Sequence, residues 1–184
     1  MRLQLDVIRR LPKAELHVHL DGSLRPRTIL ELATEQGVKL PTRDLGKLTR
    51  LLQAGKRTKN LGDYLKIFDY TLSVMQERDA LYRVAHELVE DCAAENVRHI
   101  EVRYSPILHR KKKLSFEDIV DPVSAGLRVA GAKLNAATGV IICGMRPICP
   151  LVSMAPDALA GDHPGPRLLP FLLPGQGRGP PAHR

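Results

Sequence analysis

Three segments of the chain have the apolar pattern of β-strands. Their sequences are AELHVHL, RHIEVRYSP and TGVIICG, at residues 14–20, 98–106 and 138–144. Alternation along the first segment predicts that Leu16, Val18 and Leu20 share one face. His17 and His19 then lie together on the opposite face.

Between these strands, apolar residues recur at the three- and four-residue spacing of amphipathic helices. This spacing predicts helices over residues 26–36, 43–53, 61–75, 77–95 and 115–135. Ser115 and Asp118 have the spacing of a capping box at the start of the last helix. Pro122 lies inside the same helix and should break or kink it near Asp121, because proline lacks the backbone donor.

Strands that alternate with helices favour a parallel sheet with helical crossovers. The pattern therefore predicts an α/β fold, either the beginning of a barrel or an open sheet.

Composition places this fold in a chain of ordinary globular character. The 184 residues are 43% hydrophobic and 26% charged, which is typical of globular domains. No apolar run approaches the length of a membrane span, and charges interrupt the N-terminus too often for a secretory signal. Three cysteines, Cys92, Cys143 and Cys149, are odd in number and have no C-x-x-C spacing. We therefore expect reduced thiols in a cytoplasmic protein that does not bind membranes.

A net charge of +8 raises the question of nucleic-acid binding. The basic residues are scattered, apart from the sequence HRKKK at residues 109–113, and aromatic residues make up only 4% of the chain. Such a cluster without a stacking platform is more typical of a solvated loop. Nucleic acid is therefore the weaker prediction for a partner.

The composition changes abruptly at about residue 146. Residues 146–184 contain nine of the 14 prolines, which interrupt every apolar run. We expect two regions, residues 1–145 as the folded part and residues 146–184 as a Pro/Gly-rich tail. The tail is interpreted either as disordered or, with preference, as the product of a shifted reading frame.

The two histidines of the first strand suggest a metal site. His17 and His19 point the same way, so that their imidazoles can converge on one zinc ion. A catalytic zinc needs a third protein ligand and an open position for water. Histidines two residues apart also occur in strands where they are only hydrogen-bonded, and the spacing alone leaves both interpretations open.

The neighbouring sequence resembles a known family. LPKAELHVHLDGSLRP (11–26) is similar to the N-terminal signature of adenosine deaminases, and EVRYSP (101–106) is similar to their second barrel strand. LGDYLKIFDYTLSVM (61–75) resembles the helical segment over their nucleoside pocket. The resemblance covers residues of about 11–146, with the motifs in the expected order.

This resemblance implies the front part of a (β/α)₈ TIM-type barrel, incomplete in this chain, that binds one Zn²⁺. It implies hydrolytic deamination of adenosine and deoxyadenosine to the inosine product and ammonia. By the motif, His17 and His19 are metal ligands, and His19 and Asp21 bind the substrate. An aspartate at position 21, where relatives acting on adenine carry glutamate and those acting on nucleotides carry asparagine, favours a nucleoside over a nucleotide.

Other residues have weaker assignments. Tyr64, Leu65 and Phe68 are expected to line the purine pocket, although an apolar helical stripe is more often core. Glu101 and Arg103 share a strand face and are expected to form an ion pair with a structural role. Three further histidines, His86, His99 and His109, lack ligand spacing and are interpreted as surface or hydrogen-bonded residues.

The later motifs of the family are absent from the sequence. No segment resembles HAGE, HG or NTDDP, which carry the third zinc histidine, the general acid and the other catalytic groups. No catalytic residue is therefore assigned, and we expect this chain to be inactive. Two alternatives remain open: another H-x-H metal-dependent hydrolase acting on adenine or a nucleotide, and a non-catalytic basic binding protein.

Overall fold

The three predicted strands form one parallel sheet in the order β1-β2-β3. Their bounds are β1 (Lys13–His19), β2 (Val97–Tyr104) and β3 (Ala137–Ile142). The computed structural model describes residues 5–53 and 61–144 of the chain, except for the side chains of residues 61–66. The predicted boundary at residues 145/146, the tail at 146–184 and Cys149 lie outside the described residues.

Helices connect the strands, as the apolar spacing predicts. They are α1 (Leu5–Arg10), α2 (Pro26–Glu35), α3 (Leu45–Leu52), α4 (Leu61–Val74), α5 (Arg78–Ala94) and α6 (Phe116–Leu134). A 3₁₀ turn, Pro106–His109, follows β2. The five predicted helices are confirmed within a few residues at each end, whereas α1 was not predicted.

Local side-chain chemistry sets several of these helix ends. Asp44 accepts a hydrogen bond of 2.7 Å from the backbone N–H of Lys47 at the start of α3. The capping box of α6 is confirmed, because Ser115 and Asp118 each accept from the other residue's backbone N–H. Its C-terminal end is Asn135, whose φ of 53° lies in the left-handed region that asparagine tolerates.

Pro122 does not break α6, so that the predicted break near Asp121 is wrong. The helix continues from Phe116 to Leu134 with the buried Pro122 ring on its apolar face. Loss of one backbone hydrogen bond is offset because Val123 and Leu127 are also buried on this face.

The core lies between the sheet and the two long helices. Ile100, Val102 and Tyr104 of β2 are buried; β2 packs against α5, and β3 packs against α6. The two helices approach closely at Gly126 of α6, where an added Cβ would lie 2.5 Å from the carbonyl oxygen of Tyr82. The opposite face of the sheet carries the polar side chains of β1 and β2, and the functional residues predicted from sequence lie there.

Strand β1 departs from regular alternation. Glu15 pairs with Ile100 and Val18 with Val102, so that one extra residue of β1 is accommodated between these pairs. Leu16 is 55% exposed, whereas Leu20 is fully buried and Val18 packs against the core. The prediction that Leu16 shares a face with Val18 and Leu20 is therefore wrong, because Leu16 lies in a bulge that interrupts the alternation of the strand.

A network of charged side chains fixes the chain just after β1. Arg25, at the start of α2, makes a bidentate contact of 2.7–3.1 Å with the Asp91 carboxylate of α5. Thr28 donates to Glu87, which also accepts from Arg83. These contacts anchor α2 to α5 and hold the end of the β1–α2 loop.

The described helices contain no segment that is long and apolar enough to cross a membrane. Among the described residues, Cys92 and Cys143 are free thiols.

Candidate active site

The two strand histidines lie side by side at the carboxyl end of β1. The ring centroids of His17 and His19 are 5.4 Å apart, with the ring planes tilted by 34°. The loop that follows is held close to the strand, because the Ser23 hydroxyl donates a hydrogen bond of 2.6 Å to the carbonyl oxygen of His19. The sequence prediction that both imidazoles face the same space agrees with this arrangement.

Asp21 is buried at the start of this loop. Only 8% of its surface is exposed, and its Oδ1 lies 3.9 Å from Nδ1 of His19. Burial raises the pKa of the Asp21 carboxyl above its usual value, while His19 and the backbone N–H groups of Asp21 and Gly22 partly offset the rise. Oδ1 has no hydrogen-bond partner among the described residues, so that a hydroxyl donor would find a prepared acceptor there.

These residues line one side of a cavity of about 570 Å³. Its wall includes His17, Val18, His19, Asp21, Gly22, Ser23, Phe68, Asp69, Leu72, Tyr104, Ser105, Leu108 and Cys143. The volume is in the range of small-molecule sites, which are mostly apolar with a few placed polar groups. Helix α4 contributes the apolar side chains of Phe68 and Leu72 and the carboxylate of Asp69 to the lining.

Of the three residues predicted to line the purine pocket, Phe68 lies on the cavity wall. The side chains of Tyr64 and Leu65 lie outside the described residues, although both positions belong to α4. Their assignment stays a prediction.

Sequence reasoning missed Ser105 and Cys143, which follow directly after β2 and β3. Both line the cavity, and the Ser105 hydroxyl is buried without a partner in the described part of the chain. The signal was available, because the carboxyl ends of parallel strands meet at one edge of a sheet and supply site residues there.

Glu101 and Arg103 do not form the expected ion pair. In the described chain, Glu101 lies 3.4 Å from Nε2 of His99, while the Arg103 guanidinium donates to the carbonyl oxygen of Leu16 at 2.9 Å. The parallel register explains the outcome, since it places Arg103 beside His19 of β1.

His109 is fully buried, so that the surface interpretation is wrong for it and the hydrogen-bonded one is correct. Its Nδ1 lies 3.0 Å from the carbonyl oxygen of Met75, and its ring is 5.8 Å from that of Tyr104. Burial lowers the pKa of His109 to about 4, and the neutral ring therefore donates from Nδ1. The contact ties the turn after β2 to the end of α4, which carries one wall of the cavity.

Part of the basic cluster at 109–113 is used inside the fold. The Arg110 guanidinium lies 4.7 Å over the ring of Phe116 and donates to the carbonyl oxygen of Leu114. Lys112 forms an ion pair with Glu77. These contacts favour a structural role for the cluster.

The donors of the site fit a metal only in part. Two neighbouring imidazoles are ligands that zinc accepts. However, in residues 5–53 and 61–144 no group of three or more His, Cys, Asp or Glu side chains could hold a metal ion. The described residues thus bring together two imidazoles, fewer than the three protein ligands of a catalytic zinc site.

Comparison with known proteins agrees with this geometry. The family model described as "Adenosine deaminase" matches residues 12–160. The adenosine deaminase of Vibrio vulnificus is 45% identical over 136 residues, which are 74% of this chain and 41% of that protein. A probable adenosine deaminase of Dictyostelium discoideum is 42% identical over 82% of this chain and 20% of its own length.

Solved structures show the same fold. Adenine deaminase from Arthrobacter aurescens superimposes with a TM-score of 0.64 at 27% identity, over 71% of this chain and 39% of that one. The N6-methyl-AMP deaminase from Arabidopsis thaliana gives 0.58 at 28% identity, over 76% and 42%. These neighbours are TIM barrels, so that the predicted fold class is confirmed as part of such a barrel.

The chain spans about two-fifths of the length of the Vibrio relative and of both solved structures. The matched segment contains β1, its two histidines and Asp21. On the family match and the identity to curated relatives, this chain belongs to the adenosine deaminase family.

Proposed function

We propose that this chain provides the nucleoside-binding part of a zinc-dependent enzyme that deaminates adenosine and deoxyadenosine to inosine products and ammonia. The observation that carries the proposal is the buried Asp21 carboxylate beside the two histidines, whose Oδ1 has no hydrogen-bond partner among the described residues. The relatives named adenosine deaminase support the reaction type.

Asp21 distinguishes a nucleoside from a nucleotide. The ribose 5′-hydroxyl of adenosine donates a hydrogen bond to Oδ1, which relieves the cost of an unsatisfied buried acceptor. A 5′-phosphate at the same place would bring two negative groups together in a buried site and would also lack the donor. Both effects favour adenosine over AMP.

The purine ring lies against the apolar wall of the cavity. Phe68 and Leu72 of α4 and Leu108 of the 3₁₀ turn provide this wall. An aromatic and aliphatic surface binds a flat heterocycle through burial of apolar area and ring contacts.

His17 and His19 are the proposed zinc ligands of this chain. Adenosine deaminases are metal-dependent, and a bound zinc would make hydroxide available near neutral pH by lowering the pKa of its water to about 7. His19 also faces Asp21 at 3.9 Å, so that it connects the ligand pair with the substrate-binding carboxylate.

Turnover requires groups beyond this pair. A third ligand and a group that protonates the purine ring are needed, and the described residues contain no three-ligand cluster. We therefore propose that the 184-residue chain binds adenosine but does not deaminate it.

The first experiment measures binding of adenosine and AMP to the full chain by isothermal titration calorimetry. We expect adenosine to bind at least about tenfold more tightly than AMP, and Asp21→Asn to remove most of this preference. Asp69→Asn is the matched control, because Asp69 is an exposed carboxylate that lines the same cavity from α4. An unchanged preference in Asp21→Asn would show that Asp21 does not select the substrate.

The second experiment combines elemental analysis for zinc with an absorbance assay of adenosine conversion to inosine. The full chain is expected to contain less than one zinc per molecule and to show no turnover. One zinc per chain with measurable turnover would contradict the proposed inactivity.

A second candidate is deamination of adenine or a nucleotide. It is favoured by the structural neighbours, which are named adenine deaminase and N6-methyl-AMP deaminase. Tighter binding of adenine or AMP than of adenosine in the calorimetric experiment would support this candidate.

A further inference from the structure

The bulge in β1 includes His17, the first of the two proposed metal ligands. Its extra residue falls between Glu15 and Val18, so that Leu16 and His17 together stand opposite a single residue of β2. A bulge leaves backbone groups outside the regular ladder and re-aims the side chains beside it. The direction of His17 therefore depends on what holds the bulge.

Two side chains bind the backbone of this bulge. Nη2 of Arg103 donates to the carbonyl oxygen of Leu16 at 2.9 Å. Oε1 of Glu15 accepts from the backbone N–H of His17 at 3.0 Å. The carbonyl and the N–H belong to adjacent residues, and each is satisfied by a charged side chain, which gives a stronger hydrogen bond than a neutral one.

The register connects this arrangement with His19 as well. Arg103 is the β2 partner of His19, and its carbonyl oxygen accepts from the backbone N–H of Leu20. Arg103 thus contacts β1 on both sides of the histidine pair, through its side chain before the pair and through its backbone after it. The distance of 5.4 Å between the rings of His17 and His19 is set within this frame.

We propose that Glu15 and Arg103 are positioning residues that fix the bulge and thereby aim His17 at the metal shared with His19. The inference rests on the proposed function in one respect, that the histidine pair binds a metal. Neither side chain coordinates the metal, and both act through the backbone of Leu16 and His17.

The first test measures the geometry without any metal. Hydrogen exchange of the His17 amide and the nuclear Overhauser contact between the two histidine rings are recorded by NMR on the full chain. Glu15→Ala and Arg103→Ala should accelerate exchange at His17 at least about tenfold and weaken the ring contact. Glu15→Gln should retain most of the protection, because the amide oxygen still accepts from the His17 N–H.

The second test uses Cu²⁺ alone as the probe, because it binds imidazoles more tightly than other divalent first-row metals. Wild-type chain should show the electron paramagnetic resonance coupling of two imidazole nitrogens, and Glu15→Ala and Arg103→Ala should lower the affinity about tenfold or more. The variant in which both His17 and His19 are replaced by alanine measures the binding of Cu²⁺ to other sites of the chain.

Arg98→Ala is the matched control. Arg98 also lies on β2 and donates to a backbone carbonyl, that of Leu134, on the side of the sheet away from β1. It should leave exchange at His17 and Cu²⁺ binding at the wild-type level.

The outcomes separate the two proposals. If wild type binds no more Cu²⁺ than the variant lacking both histidines, the proposed metal site fails, and exchange and ring contact still decide the positioning role. If both Glu15→Ala and Arg103→Ala show the same exchange rate of the His17 amide and the same contact between the histidine rings as wild type, the positioning role is overturned, whatever the Cu²⁺ result. If Arg103→Ala does not fold, the comparison of Glu15→Ala with Glu15→Gln gives the decision.

Discussion

Replacement of Gly126 by alanine should destabilise the fold, although alanine is the better helix former. Gly126 lies inside α6 where this helix crosses α5. An added Cβ would lie 2.5 Å from the carbonyl oxygen of Tyr82, 3.1 Å from Cβ of Ala85 and 3.2 Å from the backbone nitrogen of His86. Two of the three atoms are backbone atoms of α5, so that no rotamer change can relieve the contact.

Two opposing effects determine the magnitude. Alanine favours a helix interior over glycine by about 1 kcal/mol. Overpacking of a core contact costs about 1–3 kcal/mol, and the upper end of that range applies here because the helices must separate. We therefore expect Gly126→Ala to lower the free energy of unfolding by about 2 kcal/mol.

The assay is urea unfolding followed by far-ultraviolet circular dichroism. With a slope of about 2 kcal/mol per molar urea, the midpoint should fall by about 1 M. Gly46→Ala is the matched control, because an added Cβ in α3 would meet only side-chain atoms of Asp44 and Arg50 at 3.5 and 3.7 Å. The control should be neutral or more stable by up to about 1 kcal/mol. A Gly126→Ala variant as stable as wild type would refute the close helix contact.

Three further predictions concern stability and reactivity. Burial lowers the pKa of His109 from 6.5 to about 4, so that between these pH values the unfolded chain binds a proton that the folded chain does not. The free energy of unfolding should therefore be highest above pH 6.5 and fall by about 3 kcal/mol toward pH 4. Urea unfolding of His109→Gln should lack this part of the pH dependence. Ser115→Ala removes the cap of α6 and should cost about 1 kcal/mol, measured by the same unfolding assay, and an unchanged midpoint would contradict the role of the cap. Burial and nearby acidic groups raise the pKa of Cys92 to about 11. Alkylation of this thiol by iodoacetamide at pH 8, measured by mass spectrometry, should therefore be roughly 100-fold slower in the native than in the denatured chain. Equal rates would show that the thiol is accessible and ionisable.

The sequence alone determined most of the helices and strands and pointed to residues that line the cavity. Periods of two and about 3.6 residues are local properties, and they predicted the three strands and five of the six α-helices of the described residues. The capping box at Ser115 is likewise local, because its partners are three residues apart. The family resemblance of residues 11–26 pointed to His17, His19 and Asp21, and all three line the cavity because they lie on one strand end and the loop that follows it.

Only the tertiary structure decided the contacts between distant segments. The bulge in β1 and the bond from Arg103 to Leu16 depend on the register between β1 and β2, which are about 80 residues apart in sequence. Burial of His109 depends on Met75, at the end of α4. Pro122 remains helical because α6 is buried along its apolar face. Local spacing contains no information about these partners. The free energy of such contacts arises only when separate helices and strands pack against one another.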